Sequence, residues 1–106
     1  MRLWLAPLDG ITNYQYRNCL CLHFKGIDNF ITPFLPVQER AKLNVKKWKD
    51  IWPKHNELLP AIPQLMGNKA AHFVDTLQAM HEAYGYTAFN WNIGCPVAQV
   101  VRRTRA

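Results

Sequence analysis

The sequence alternates four short apolar segments with polar segments of helical character, and this alternation is what most restricts the possible folds. The apolar segments predict strands over Arg2 to Ala6, Asn29 to Phe34, Pro60 to Leu65 and Thr87 to Ile93. Such an order favours an α/β sheet of parallel strands joined by right-handed crossovers. Four strands fit either a small open α/β domain or about the first half of a (β/α)8 barrel, which usually needs ~250 residues.

Three connecting segments are predicted to be at least partly helical. The first has Thr12 as its N-cap and Gln15 in the capping-box position, and runs to about Leu22 with one side formed by Tyr16, Cys19, Leu20 and His23 or Phe24. The second, Val37 to Trp52, is polar and basic with scattered apolar positions and is at least partly helical. The third is an amphipathic helix capped by Asn68 and Gly85, whose apolar spacing places on one face Ala70, Phe73, Val74, Leu77, His81 and Tyr84.

Length and charge limit the class of protein. The 106 residues allow one modest domain, and 13 Lys and Arg against 7 Asp and Glu give a net charge of +6. This charge favours anionic partners: nucleic acid, phosphorylated cofactors or membrane surfaces. Three cysteines without a signal peptide indicate a reducing compartment, so we expect a cytoplasmic protein. Because no apolar run approaches the ~20 residues of a membrane span, we expect no membrane partner.

Polar residues at the end of the fourth predicted strand form the first candidate site. Asn90 and Asn92 share one face of a strand that should be buried, where carboxamides are costly unless they are hydrogen-bonded. Gly94 permits a tight turn, and Cys95 follows at the rim, where active sites of α/β proteins lie. This pattern indicates groups aimed at a ligand. The alternative is a polar strand end with an inert buried cysteine.

Two further features sit on the first and third strands. Gln64 lies within an apolar segment, and its donor and acceptor suit the edge of a heteroaromatic ring, although neighbouring backbone could also satisfy it. The first strand ends in Ala6, Pro7 and Leu8. Small and proline residues at the end of a strand let a ligand approach the backbone. A simple turn is the alternative.

The other clusters have simpler interpretations. Cys19, Cys21 and His23 lie at spacings that point to different helix faces, so we expect core cysteines and no metal site. A basic stretch could bind phosphate backbone or form a solvated helix face; it comprises Lys42, Lys46, Lys47, Lys49 and Lys54 with Trp48 and Trp52 interleaved.

Three blocks together resemble the tRNA-dihydrouridine synthase family. They are Leu5 to Thr12 with Arg17 downstream, Pro63 to Gly67, and Asn90 to Pro96. The third is the most specific, because it matches the family signature Asn-x-Asn-x-Gly-Cys-Pro. The resemblance implies a TIM (β/α)8 barrel followed by a helical RNA-binding domain. Residues 1–106 would then be a partial FMN-binding barrel of about four β/α units, without the C-terminal domain.

The resemblance also implies roles for individual residues. Ala6, Pro7 and Leu8 would lie against the flavin, and Gln64 would hydrogen-bond its isoalloxazine ring. Asn92 would face the flavin and the uracil, and Cys95 would be the general acid. In that family NADPH reduces FMN, the reduced flavin gives hydride to C6 of a tRNA uridine, and the thiol protonates C5.

Some residues depart from the family pattern. Leu8 stands where Met is usual, Trp91 replaces a smaller aliphatic residue, and the tail from Arg102 lacks the usual glycine-rich loop, as after a frameshift or truncation. The chain could therefore be a non-catalytic fragment that acts at most as a binding module. Another flavin barrel, such as dihydroorotate dehydrogenase, is disfavoured because it reads Ser-Cys-Pro-Asn where this chain reads Gly-Cys-Pro-Val.

Four strands alone would leave two open sheet edges. Strand faces carrying Leu3, Leu5, Ile62 and Met66 are expected to meet water. We therefore expect the chain alone to self-associate through its edges and to bind FMN weakly or not at all.

Overall fold

A computed structural model describes residues 1–37 and 46–94. Six short strands and two α-helices follow one another along the chain, in the order β1 (Trp4–Leu5), α1 (Tyr14–His23), β2 (Asn29–Ile31), β3 (Leu35–Pro36), β4 (Ala61–Ile62), β5 (Gln64–Met66), α2 (Ala70–Tyr84) and β6 (Asn90–Asn92). Between β3 and β4 lie two 3-10 helices, Lys47–Ile51 and Pro53–His55. Within the described ranges no helix is long and apolar enough to cross a bilayer.

The strands are parallel, as the alternation predicted. β1 pairs with β2, which pairs with β4; β3 pairs with β5, which pairs with β6. Since β3 follows β2 after only three residues, and β5 follows β4 after Pro63, the four strand regions lie side by side in chain order. The strands themselves are shorter than predicted: β1 covers two residues and β6 three.

Pro33 and Pro63 each interrupt the strand pairing of their segment, but the two segments remain side by side. Pro33 and Pro63 have no N–H group to donate to a neighbouring strand. Thr32 bridges this interruption: its N–H donates to the Ile62 carbonyl at 3.0 Å, and its hydroxyl accepts from the Gln64 N–H at 3.2 Å. The Pro63 carbonyl still accepts from the Asn90 N–H at 2.9 Å. The segments therefore stay aligned, which fixes where Gln64 and Asn90 lie.

The predicted N-caps are wrong by one residue. Asn13, not Thr12, caps α1, and its side chain accepts from the Tyr16 N–H at 3.0 Å. Lys69 occupies the N-cap of α2 without a side-chain hydrogen bond, so Asn68 does not cap it. The C-cap is confirmed: Gly85 has φ of 82°, the left-handed conformation that glycine adopts without a steric cost.

The side of helix α1 that is buried in the protein is not the apolar side identified in the sequence. The side formed by Tyr16, Cys19, Leu20, His23 and Phe24 lines an open apolar cavity of about 420 Å³ instead of the core. Its fully buried residue is Arg17. The prediction of core cysteines is also wrong, since Cys19 is exposed and Cys21 is half-buried, with its thiol donating to the Leu58 carbonyl.

The core lies between the sheet, α2 and the first 3-10 helix. Its buried apolar members are Leu35, Trp48, Ile51, Leu65 and Met80. The buried face of α2 is rotated from the predicted one, because Thr76 and Met80 are fully buried while Val74 and His81 are exposed. Trp48 is therefore a core residue, although lysines surround it in the sequence.

Apolar exposure differs along the sheet. Leu3 is 49% exposed, as expected at an open edge, but Met66 is only 2% exposed, which contradicts its predicted contact with water. Leu5 and Ile62 are half-buried. Of the four residues expected to meet water, only Leu3 is therefore exposed.

Gly67 has no room for a side chain. A Cβ atom at this position would collide with Cγ2 of Val37, which is held close by its N–H bond to the Met66 carbonyl at 2.8 Å. We expect Gly67→Ala to lower the free energy of unfolding by about 1–3 kcal/mol through overpacking, as measured by urea denaturation. Gly94→Ala is the matched control, because nothing lies within 4 Å of its Cβ position. An equal cost of Gly67→Ala in a Val37→Ala background would contradict this explanation.

Candidate functional site

The paired strands of the described residues are parallel, so the carboxyl ends of the four chain segments lie at the same end of the sheet, which we call the rim. The loop after β1, the turn after β5 and the residues after β6 open onto this rim. In parallel α/β proteins ligands bind at this end, because connections that follow the strands converge there. The predicted site residues within the described ranges lie at or next to this rim.

Gln64 and Asn90 form an amide pair across neighbouring strands. They are directly opposite in the register of β5 and β6, and the Gln64 Nε2 donates to the Asn90 Oδ1 at 2.8 Å. Both side chains are half-buried. Within the described part of the chain, no donor reaches the Gln64 side-chain oxygen. The pair therefore fixes the orientation of Gln64, whose partner is a neighbouring side chain and not the backbone.

Asn92 lies two residues further along the same face, opposite Met66. Its Oδ1 accepts from the Gly94 N–H at 3.1 Å, which turns the chain just after the strand. Trp91 points to the other face, where its ring packs 4.8 Å from the Phe73 ring and its indole N–H donates to the Gly67 carbonyl at 2.9 Å. The unusual tryptophan thus attaches β6 to α2 and leaves the Asn92 face unobstructed.

The loop after β1 is closed by Thr12. The Thr12 hydroxyl accepts from the Leu8 N–H at 2.8 Å, and the N–H groups of Ile11 and Thr12 both donate to the Leu8 carbonyl at 3.0 Å. Gly10 takes the positive φ of 78° that this tight turn requires. Ala6 and Leu8 are exposed and Pro7 is half-buried, so the loop presents a fixed, accessible apolar surface.

A buried arginine supports this loop from behind. Arg17 is 0% exposed, and its guanidinium donates to the Thr12 carbonyl at 2.9 Å, the Asp50 carboxylate at 2.8 Å, the Asp50 carbonyl at 2.8 Å and Asn56 Oδ1 at 2.9 Å. The Asp50 carboxylate also accepts from the Tyr14 N–H at 2.6 Å. Arg17 therefore connects the loop after β1 and the start of α1 to the 3-10 helices.

The sequence did not reveal this role. In the sequence Arg17 stands out only as part of a block that resembles a family. Its partners Asp50 and Asn56 are 33 and 39 residues away. Ionic partners at such separations leave no periodic signal. The one local hint is an arginine near the start of an amphipathic helix, which fits an exposed position equally well.

Aromatic rings also stack where the start of α1 meets the 3-10 helices. Tyr14 and His55 stack with ring centroids 4.0 Å apart, and Trp52 stacks on His55 at 5.4 Å. Tyr86 donates its hydroxyl proton to the Ile51 carbonyl at 2.6 Å. Burial raises the pKa of Tyr86 to about 12, opposed in part by the positive charge of Arg17. The Tyr86 hydroxyl therefore stays protonated well above neutral pH and continues to donate this hydrogen bond.

The structure brings some predicted residues together and not others. Gln64 and Asn92 lie on neighbouring strands, and Asn90, on the same strand as Asn92, contacts Gln64. Ala6, Pro7 and Leu8 follow β1, at the opposite end of the strand order from β6, although on the same rim. Cys95, the predicted general acid, lies outside the described residues, as do the predicted basic residue Lys42 and the tail from Arg102. In residues 1–37 and 46–94 no three His, Cys, Asp or Glu side chains cluster as metal ligands.

Comparison with known proteins gives one family. The family model described as Dihydrouridine synthase (Dus) matches residues 4–105, nearly the whole chain. Neither the curated proteins nor the solved structures contain a significant match.

Proposed function

Since the chain belongs to the dihydrouridine synthase family, we propose that it forms the N-terminal four strands of a TIM barrel that reduces uridine to 5,6-dihydrouridine in tRNA, with FMN as cofactor and NADPH as reductant. Members of this family are TIM-barrel oxidoreductases, generally flavin-dependent, that act on tRNA. The order of the strand segments supports the proposal, because adjacent parallel strands follow one another around a barrel.

One observation carries the cofactor assignment: the oriented side chain of Gln64 on the face shared with Asn90 and Asn92. Its amide nitrogen is held by Asn90, and its oxygen is available to accept from a ring N–H such as the flavin ring provides. The exposed Ala6–Leu8 loop offers an apolar surface on the same rim. A planar ring with a polar edge fits these residues. We propose that Gln64 binds this edge and that Ala6, Pro7 and Leu8 lie against the ring.

The remaining roles concern the substrate. When bound, reduced FMN supplies the hydride that is added at C6 of the uracil. We propose that Asn92 orients the uracil by hydrogen bonds and that the Cys95 thiol donates the proton that C5 requires. A thiol with an ordinary pKa near ~8.5 carries this proton at neutral pH. The turn that precedes Cys95 in the chain is closed by the bond from the Gly94 N–H to Asn92 Oδ1.

The test supplies the other half of the barrel. The 106 residues would be fused to strands five to eight and the helical domain of a dihydrouridine synthase, and expressed in cells without other such enzymes. Dihydrouridine in tRNA would be measured by mass spectrometry of nucleosides. We expect dihydrouridine from the fusion and none from the 106-residue chain alone. A flavin-loaded fusion that forms no dihydrouridine would contradict the proposed activity.

Gln64→Leu tests the flavin contact. It keeps the side-chain volume but removes the acceptor, and it leaves Asn90 without its donor. We expect the affinity of the fused barrel for FMN to fall about tenfold, the value of one hydrogen bond, in a titration that follows flavin fluorescence. Gln78→Leu, at an exposed position of α2, is the matched control. Wild-type affinity in Gln64→Leu would show that Gln64 does not bind the flavin.

A further inference from the structure

Exposed lysines lie on and beside the two 3-10 helices. Lys46, Lys49 and Lys54, which we call the lysine ridge, lie within ten residues of one another, and all three are exposed. The sequence left open whether such a stretch binds phosphate or is only a solvated helix face. Three structural observations distinguish these alternatives: which groups the neighbouring carboxylate of Asp50 binds, where the ridge lies, and what the aromatic rings of the segment contact.

The neighbouring acid is used internally. Asp50 is the one carboxylate between residues 46 and 55. Its Oδ2 accepts from Arg17 at 2.8 Å and its Oδ1 from the Tyr14 N–H at 2.6 Å. Its side chain is only 21% exposed. The carboxylate is thus bound on both oxygens and does not pair with the ridge, so the segment directs positive charge outward.

The ridge lies beside the proposed active-site rim. Tyr14 begins α1, immediately after the loop that follows β1, and its ring stacks on His55 at 4.0 Å. Arg17 joins the same loop to the 3-10 helices through the Thr12 and Asp50 carbonyls. Because these bonds fix the segment to the loop, a polyanion that delivers a base to the rim passes close to the ridge.

The rings of this segment are already engaged. Trp48 is buried in the core, while Trp52 stacks on His55 at 5.4 Å and carries the Lys54 ammonium 5.1 Å from its centroid. Neither ring is a free platform for a nucleobase. The segment therefore offers exposed positive charge, which suits phosphate groups, and little that would read a sequence.

We propose that the lysine ridge binds backbone phosphates of tRNA beside the point where the target uridine enters. This inference rests on the proposed function, since it takes tRNA as the ligand of the same rim. Contacts of this kind position the RNA and are independent of base sequence. They release counterions, so binding through the ridge weakens steeply as salt rises.

The test measures tRNA binding by the 106-residue chain itself. Fluorescence anisotropy with an unmodified, labelled tRNA transcript would be recorded at several salt concentrations. In Lys49→Gln/Lys54→Gln we expect affinity to fall about five- to twentyfold at about 0.1 M salt. The slope of log affinity against log salt should decrease in magnitude by about 1.5–2 for two lost phosphate contacts. Arg2→Gln/Lys25→Gln, with the same charge loss at two exposed positions, is the matched control.

Each outcome decides the proposal. A larger loss in the ridge variant than in the control supports it, whereas equal losses would reduce the effect to net charge and overturn it. Absence of tRNA binding by the wild-type chain at low salt would also overturn it. So would ridge-dependent binding to phosphatidylglycerol vesicles without binding to tRNA, which indicates a membrane surface. Because no flavin takes part, this assay can fail or succeed independently of the dihydrouridine measurement.

Discussion

Replacing Arg17 with methionine is expected to lower the free energy of unfolding by about 3–4 kcal/mol. The substitution keeps an unbranched side chain of similar length but removes four hydrogen bonds. Asp50 would lose its cationic partner, and the Thr12 carbonyl and Asn56 Oδ1 would lose donors in a site that is mostly buried. Removing one partner of a buried ion pair costs several kcal/mol because the other charge is left unpaired. The partial exposure of Asp50 places the expected cost toward the lower end of that range.

Urea denaturation followed by tryptophan fluorescence measures this effect. Arg2→Met is the matched control, since Arg2 is exposed, and it should change stability by less than about 0.5 kcal/mol. Asn56→Ala provides a second comparison, because it removes one acceptor and leaves the ion pair intact. If Arg17→Met were as stable as Arg2→Met, Arg17 would not hold the loop after β1 to the 3-10 helices.

Cys95→Ala is expected to abolish most dihydrouridine formation while leaving flavin chemistry intact. In the fused barrel we expect product formation to fall by about 10²- to 10⁴-fold, the usual contribution of a general acid. The reason is that the proposed thiol acts only at the protonation of C5. Binding of FMN and its reduction by NADPH involve other residues, so both should stay within about twofold of wild type, as measured by flavin absorbance.

The control is another cysteine of the same chain. Cys19→Ala removes an exposed thiol on α1 and should leave product formation unchanged. Unchanged dihydrouridine in Cys95→Ala would exclude the thiol as the general acid. Parallel loss of flavin binding and product would assign Cys95 to the cofactor site instead.

Local patterns predicted the parts of the fold that depend on neighbouring residues. The apolar segments located all four strand regions, and their alternation with helices predicted the parallel pairing. The apolar spacing of α2 placed that helix, and Gly85 marked its end. At the site, its position within an apolar segment made Gln64 conspicuous in the sequence, and the structure pairs it with Asn90. Buried polar groups in strands are conspicuous in a sequence because few residues there are polar.

Long-range contacts were not predictable in the same way. The apolar side of α1 suggested the core, yet the buried side carries Arg17, because partners elsewhere in the chain satisfy its charge. Trp48 stands among lysines in the sequence, and only the structure shows that it is buried in a short 3-10 helix. The expected exposure of Met66 also failed, since its side chain is 2% exposed in the folded chain.

The sequence by itself therefore determined the strand segments, their parallel order, the family and the residues at the ends of the third and fourth strands. Each of these follows from periodicity, composition or a short motif, which act over a few neighbouring residues. Only the tertiary structure decided which side of α1 is buried, how Thr32 joins the interrupted strands, and that Arg17 and Asp50 fix the loop beside the rim. These depend on charges and hydrogen bonds between residues about 30 or more positions apart, whose partners become evident only when the chain has folded.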